Sequence, residues 1–559
     1  MGVSFEEGVS QLSQPGGPFA TKTVEVAGME TEVFENAPPS LRAIFDSARV
    51  RGDETFLVYE DERWSFAKTM GQVDALGALL VERYGVQPGD RVAIAMRNYP
   101  EWIVSFAGIT SVGAISVSMN AWWTEAELRY GVEDSGAKVL IVDEARARDA
   151  STIAAERGLR VLVVRAEGEL AHGAERWEEV LPLGATMPEV EIDPDQDATI
   201  LYTSGTTGFP KGAVSTHRAV ASALTAFACS ATIHAVRFPK EAATASQLPT
   251  SFILIVPLFH VTGAIAVMMS CFAAGYKLVM MYKWDPARAL ELIERERVTR
   301  FVGVPTQSWD LLECPDFASR DTSSLTNVGG GGAPAPPELV KRIEGSFAKG
   351  RPGIGYGMTE TNAYGPQNSG DDYLRKPLSA GRPAPTMSVR VTDPDGNVLA
   401  PGEVGEIWFH GPMLIRGYWN KPEATAETLV DGWLRSGDLG MIDEEGFVFV
   451  QDRAKDMVLR GGENVYCAEV EAAIYEHPAV YEAAVFGVPH ERLGEEVAVA
   501  ILLKGDASLD DVGLKAHLAE RIASFKIPSQ VEFRSEPLPR GATGKILKRA
   551  LRDAFVGES

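Results

Sequence analysis

Nine consecutive residues concentrate the groups that a polyphosphate would need. From Ser204 to Gly212 the chain reads Ser-Gly-Thr-Thr-Gly-Phe-Pro-Lys-Gly. Gly205, Gly208 and Gly212 tolerate positive φ and let backbone N–H groups approach anionic oxygens. Ser204, Thr206 and Thr207 add hydroxyl donors, and Lys211 adds a positive charge. The spacing is not that of the common P-loop, which places Gly-Lys-Ser/Thr after four spacers. Here Pro210 precedes the lysine and Gly212 follows it. A flexible surface loop is the bland alternative, and so dense a mixture of glycine, hydroxyl and lysine argues against it.

Other groups with chemical potential lie downstream. Tyr356-Gly357-Met358-Thr359-Glu360 sets a hydroxyl beside a carboxylate. That pair suits Mg²⁺, a hard cation that takes oxygen ligands and phosphates; a helix-capping Thr/Glu pair would use the same residues. Asp438, in Ser436-Gly437-Asp438, can accept both hydroxyl protons of a ribose, although a turn aspartate needs no ligand. Gly329, Gly330, Gly331 and Gly332 precede Ala333 and Pro334. Their backbone-entropy cost makes sense where something approaches the chain closely, with a plain strand-to-helix turn as the alternative. His260 follows Phe259 after an apolar run, where a satisfied core histidine is the ordinary reading. Lys545 ends a glycine-rich tip, from which an ammonium can reach into a site and withdraw, or simply stay solvated.

A scaffold must position these groups. Residues 1–39, polar and spotted with Gly and Pro, read as a loose arm. A two-stranded ribbon is expected over 57–65, and helical spacing appears at Met70, Val73, Leu76 and Leu80. Buried strands over 92–96, 114–117, 139–142 and 161–164 alternate with helices, which implies a parallel sheet covered on both faces. No Gly-x-Gly-x-x-Gly follows any of them, which disfavours a nicotinamide-type dinucleotide fold. Thr216 is the expected N-cap of a helix. Strands over 253–257, 278–281 and 301–304 form a second layer. From Gly381 onward, short strands with Asp-Gly, Glu-Gly and Pro-Gly turns suggest a small β subdomain. Past residues 452–455 a compact α+β pattern follows, with helices over 468–476, 508–521 and 546–554, long enough for a small domain. The expected fold class is α/β. A large N-terminal domain, 1–454, holds two helix-flanked sheet layers and the β subdomain; a small mobile α+β C-terminal domain, 455–559, follows.

Composition narrows the function. With 77 acidic and 53 basic residues among 559, the net charge is −24. Such a field repels nucleic acid and anionic membranes, so any nucleotide site must gather its cations locally. Cys229, Cys271, Cys314 and Cys467 lie far apart without a Cys-x-x-Cys pair. This opposes a zinc site and fits a reducing, cytoplasmic setting; Cys467, beside a functional loop, is expected to be accessible. No signal-peptide pattern opens the chain. The apolar stretch 252–276 holds Pro257 and His260 and reads as a buried strand, tight turn and core helix rather than a membrane span. Any membrane contact is expected to be peripheral.

Ser204 to Gly212 matches without a gap the Ser/Thr-Gly-Thr-Thr-Gly-x-Pro-Lys-Gly signature of the AMP-forming adenylate ligases. That superfamily includes acyl-CoA synthetases, luciferases and peptide-synthetase adenylation domains. The chain resembles it from about residue 41 to about residue 551, with further motifs in order at 329–334, 356–360, 436–440, 451–455, 460–464 and 539–546. The resemblance implies that Thr203, Ser204, Gly205, Thr206, Thr207, Gly208 and Lys211 bind the phosphates, and that Glu360 with Thr206 holds Mg²⁺. It implies Thr359 at the α-phosphate and Tyr356, Gly357, Gly332, Ala333 and Pro334 around the adenine. Asp438 and Arg453 would take the ribose, and His260 the acid carboxylate. Lys455 would be the hinge, with Gly461 and Gly462 closing over the thiol acceptor. Lys545 would bridge the attacking carboxylate and the α-phosphate; Gly541 stands in its motif where Thr or Ser is usual.

The implied activity is an ATP-dependent acid–CoA ligase using ATP, Mg²⁺ and coenzyme A, with Lys545, Glu360, Thr206 and His260 as catalytic residues. The glycine run and apolar residues near Phe259 and Trp309 favour a medium- or long-chain fatty acid or a bulky apolar acid. Close alternatives are an aryl-acid (cinnamate- or benzoate-like) CoA ligase and a stand-alone adenylase loading a carrier protein, although no carrier domain follows residue 559. A silent nucleotide-binding regulator is the non-enzymatic alternative. The partners are a carboxylic acid and CoA, with no nucleic acid, and the oligomeric state is open between monomer and homodimer.

Overall fold

Short runs of β-branched residues, each closed by a turn and a helix, build two sheets of eight strands. The computed structural model describes residues 3–203, 210–245, 247–461, 463–505, 507–541 and 544–557. In the first sheet the parallel strands Arg91–Ala95, Ile115–Ser118, Val139–Asp143 and Arg160–Val164 form the centre. They are buried almost throughout, as strands covered by helices on both faces must be. Asp197–Thr203 joins this sheet in parallel and returns antiparallel as Lys211–Thr216, pairing Thr203 with Lys211. Thr216 then caps the helix His217–Arg237, its hydroxyl accepting from the Ala219 N–H.

The second sheet runs in the order Gln367–Ser369, Arg351–Gly355, Asn327–Gly331, Arg300–Gly303, Ser251–Leu254, Lys277–Met280, Thr55–Tyr59 and Glu62–Ser65. One continuous core joins the two sheets, and the helix Pro100–Ser111 is buried at every residue. A third sheet of five strands, including Gly405–His410, Trp433–Ile442 and Val448–Arg453, is antiparallel. The last domain wraps a five-stranded sheet with the helices Cys467–Tyr475, Asp511–Ala519 and Lys548–Gly557. The fold is thus a mixed α/β architecture with a large N-terminal part and a small C-terminal domain.

Several local expectations change. Residues 1–39 are not a loose arm. Ser4 and Glu7 form a capping box for the helix Phe5–Ser13, and Thr21–Val26 pairs with Met29–Phe34. Phe5, Val9 and Leu12 are spaced for one helical face and pack on the core beside His217–Arg237; so short a helix is hard to read among polar neighbours. The helices expected over 508–521 and 546–554 are Asp511–Ala519 and Lys548–Gly557. Cys467 is buried, its thiol donating to the Asp456 carbonyl, because its helix packs that side against the small sheet. Among the described residues one helix, His217–Arg237, is long and apolar enough to cross a membrane. Here its apolar residues face the core and the wall of a cavity.

The glycine run has a backbone explanation. A Cβ on Gly329, Gly330 or Gly331 would lie 2.1, 1.6 or 2.4 Å from the carbonyl oxygens of Gly353, Gly303 and Gly355. Neighbouring strands of the sheet itself make the close approach. Gly330→Ala is therefore expected to abolish the cooperative melt or lower Tm by many degrees. Gly345→Ala, in an exposed helix where a Cβ meets nothing within 4 Å, is expected to add roughly 0.5–1 kcal/mol. Thermal unfolding of the two variants followed by circular dichroism checks both.

Candidate active site

A cavity of about 2440 Å³ is lined by both large sheets, the third sheet and the tip of the C-terminal domain. Strand pairing sets one end of it. Thr203 and Lys211 face each other where two strands part, and the Thr203 hydroxyl donates to the Lys211 carbonyl. The Tyr130 hydroxyl pins the Pro210 carbonyl at 3.0 Å. Ser204, Gly205, Thr206, Thr207 and Gly208 lie outside the described residues, so Thr203 and Lys211 mark where they leave and rejoin the sheet. The Lys211 ammonium stands 4.9 Å from the Tyr418 ring, whose hydroxyl donates to Glu360 Oε1 at 2.6 Å.

Glu360 belongs to the short 3-10 turn Thr359–Thr361, and Gly357, Thr359 and Glu360 line the cavity. Gly357 can only be glycine, since a Cβ would meet the Ala363 carbonyl at 2.3 Å. Asn362 and Ala363 hold positive φ of 52° and 64°, strain of the kind that fixes a functional turn. Among the described residues no three or more His, Cys, Asp or Glu gather to hold a metal. A single carboxylate facing the cavity suits Mg²⁺ only if the ion arrives already coordinated by a ligand's phosphates and by water. Glu360, with one oxygen held by Tyr418, fits that donor set.

The third sheet supplies a buried carboxylate. Asp438 and Arg453 are cross-strand partners, with Arg453 Nε 3.1 Å from Asp438 Oδ1. The Tyr356 hydroxyl donates to Asp438 Oδ2 at 2.6 Å. Burial, and then the Asp438 charge, drive the Tyr356 pKa up, so it remains a donor. Arg453 and Lys455 line the cavity, and burial beside Arg453 lowers the Lys455 pKa.

Lys545 enters from the C-terminal domain. Arg540 holds the tip's shape, donating to Glu482 Oε1 at 2.5 Å and to the Gly544 carbonyl at 2.6 Å. Gly544 sits against Val304, where a Cβ would come within 3.2 Å of a valine methyl. Burial, followed by repulsion from Arg453, pulls the Lys545 pKa down to about 8; Asp438 opposes the shift. His260 lies close enough to feel that ammonium. Burial first and Lys545 second lower its pKa to about 4, so the imidazole is neutral near pH 7. The Thr262 N–H donates to His260 Nδ1 at 3.3 Å, which leaves the proton on Nε2.

Not every expected residue reaches the cavity. Gly332, with φ +82°, lines it, whereas Ala333 and Pro334 continue past it. Gly461 is exposed in a hairpin turn away from it, donating to the Leu493 carbonyl; Gly462 lies outside the described residues. Phe259 lines the cavity, but Trp309 does not. Trp309 packs under Arg342 and Lys504, at 5.1 and 5.5 Å, as part of the contact between domains. Tyr418 had no signal in the sequence; only strand pairing with Ala213 brings it between Lys211 and Glu360.

A model of the AMP-binding enzyme family matches residues 44–419, and a model of the AMP-binding enzyme C-terminal domain matches residues 469–545. The chain belongs to the AMP-forming acyl-CoA synthetase superfamily. This ligase is 34% identical over 536 residues to the long-chain-fatty-acid–CoA ligase of Bacillus subtilis, covering 90% of this chain and 92% of that one. It is 37% identical over 473 residues to a feruloyl-CoA synthase of an Amycolatopsis species, covering 84% and 90%. ATP-bound MatB from Rhodopseudomonas palustris shares its fold with a TM-score of 0.80 at 30% identity, covering 92% and 99%.

In such a ligase kcat/KM reports the ionisation of the free enzyme. A Lys545 that must be protonated, with its pKa lowered to about 8, predicts that kcat/KM for acid-dependent pyrophosphate release falls as pH rises through about 8. Lys545→Arg should lose that alkaline limb, whatever its absolute rate. A wild-type profile flat from neutral pH to well above 9 would contradict the assignment.

Proposed function

We propose that this ligase activates a carboxylic acid as its acyl-adenylate and passes the acyl group to CoA. A carboxylate oxygen attacks the α-phosphorus of ATP and pyrophosphate leaves. The CoA thiolate then attacks the acyl carbon and AMP leaves. The reading rests chiefly on the convergence of Lys211, Arg453, Lys455 and Lys545 on one cavity in a chain of net charge −24. Such a cluster is out of place unless an anion is bound there.

In this mechanism Lys211 and the loop 204–208 hold the β- and γ-phosphates, and Lys545 neutralises charge shared between the carboxylate and the α-phosphate. Mg²⁺, held by Glu360 with Thr206, neutralises the polyphosphate when bound. Thr359 faces the α-phosphate, and Tyr356, Gly357 and Gly332 border the adenine. Asp438 and Arg453 take the ribose. Neutral His260 donates from Nε2 to a carboxylate oxygen and aligns it for attack. Rotation of residues 455–559 about Lys455 then withdraws Lys545 and brings Gly461 and Gly462 to the thiol. The size of the cavity favours a medium- or long-chain or bulky apolar acid. An aryl acid is the second reading, since similarity to a feruloyl-CoA synthase stands beside that to a fatty-acid ligase. A panel of both acid classes, assayed for pyrophosphate and for thioester, separates them; AMP formation with neither class would sink the proposal.

Two variants test the domain rotation. Lys545→Ala should suppress adenylation by two orders of magnitude or more while sparing thioester formation from preformed acyl-adenylate; equal losses would contradict it. Across the domain contact, the Tyr481 hydroxyl donates to Asp310 Oδ1 at 2.7 Å. Tyr481→Phe removes that bond, worth about 1 kcal/mol. It should slow adenylation severalfold and leave the thioester step equal or faster, as read in separated half-reactions.

A further inference from the structure

The cavity continues beyond the catalytic groups along the second sheet. Phe252, Arg300, Asn327 and Arg351 lie in register across four neighbouring strands and all line it. The two arginines have opposite surroundings. Arg351 is ion-paired with Glu241, Glu344 and Asp371. Among the described residues no carboxylate pairs with Arg300, and its guanidinium makes no hydrogen bond. Its neighbours are the stacked rings of Phe252 and Tyr276, 6.0 Å apart, and burial lowers its pKa from the ordinary arginine value. Arg300 is partly buried and opens onto the cavity, so a ligand that fills the cavity strips water from its five donors and must bring an acceptor in exchange.

We infer that Arg300 binds a second carboxylate at the remote end of the substrate, so that the acid is a dicarboxylate with an apolar spacer. The inference rests on the acid–CoA ligase reading above and names its substrate class. The strand sets the length of the spacer. The Gly544 tip that carries Lys545 meets Val304, and Arg300 lies four residues before Val304 in the chain, at the start of the strand that leads to it. At about 3.3 Å per residue the separation is on the order of 13 Å. Phe227, Ala231, Phe252, Ala266 and Val302 supply apolar surface to the same cavity, beside polar residues such as Thr262, Ser270 and Asn327. A remote carboxylate would meet Arg300 in a fork geometry that lysine cannot supply. The acids around Arg351 are two strands away and already answered by its charge.

Matched series of monocarboxylic, α,ω-dicarboxylic and ω-oxo acids of equal length test this through acid-dependent pyrophosphate release. The wild-type enzyme should prefer the dicarboxylate at its best length by tenfold or more in kcat/KM. Arg300→Met should reverse that preference by at least tenfold and raise kcat/KM for the monocarboxylic acid, while Arg300→Lys falls between. Melting curves of the free variants show whether each is folded. In the wild type, a long dicarboxylate alone should raise Tm more than its monoacid, and Arg300→Met should erase the difference even if its turnover is lost. Turnover of monoacids with an unchanged ratio overturns the inference and leaves the ligase reading intact. A preference for ω-oxo acids over dicarboxylates overturns the second carboxylate. No pyrophosphate release with any acid overturns both.

Discussion

Charge neutralisation is the constraint on which this molecule depends. An acidic chain must hold a polyphosphate and a carboxylate side by side, and only cations gathered at short range can overcome the repulsion. No single element provides them. Lys211 comes from the first sheet, Arg453 from the third, and Lys545 from the C-terminal domain. The cost of bringing these groups together appears in Lys545 and Lys455, whose ammonium groups are weakened by burial and then by the neighbouring Arg453. A bound anion would offset that cost.

The contact between the C-terminal domain and the rest is small. Tyr481 on Asp310, Trp309 under Arg342 and Lys504, and Gly544 against Val304 are small contacts beside the continuous core that unites the two large sheets. The contrast suits a chemistry with two acceptors at one carbon. In the proposed mechanism the framework that aligns phosphate, ribose and acid stays rigid, and Lys545, needed in only one half-reaction, rides on the C-terminal domain.

The second sheet shows how packing can shape a binding pocket. Glycines at 329, 330 and 331 let strands approach so closely that no side chain fits between them. Removing side chains there leaves an open wall beside the reacting groups. Further down the same sheet, full-sized residues return, and with them the uncompensated Arg300.

The order of the motifs, the acidic balance and the alternation of strand and helix were legible in the sequence because each is local or compositional. Spacing alone placed glycine, hydroxyl and lysine in one loop, and the cap at Thr216 followed from one hydroxyl before an apolar run. The N-terminal helix escaped because three apolar residues in a polar segment carry too weak a period. Trp309 was misplaced, and Tyr418 overlooked, because contacts between distant strands decide which face an aromatic ring meets. The sequence names Lys545 and Asp438, but only the tertiary structure brings the charge of one near His260 and ties the other to Tyr356 and Arg453. Burial and charge depend on neighbours hundreds of residues away, and those neighbours exist only once the sheets have packed.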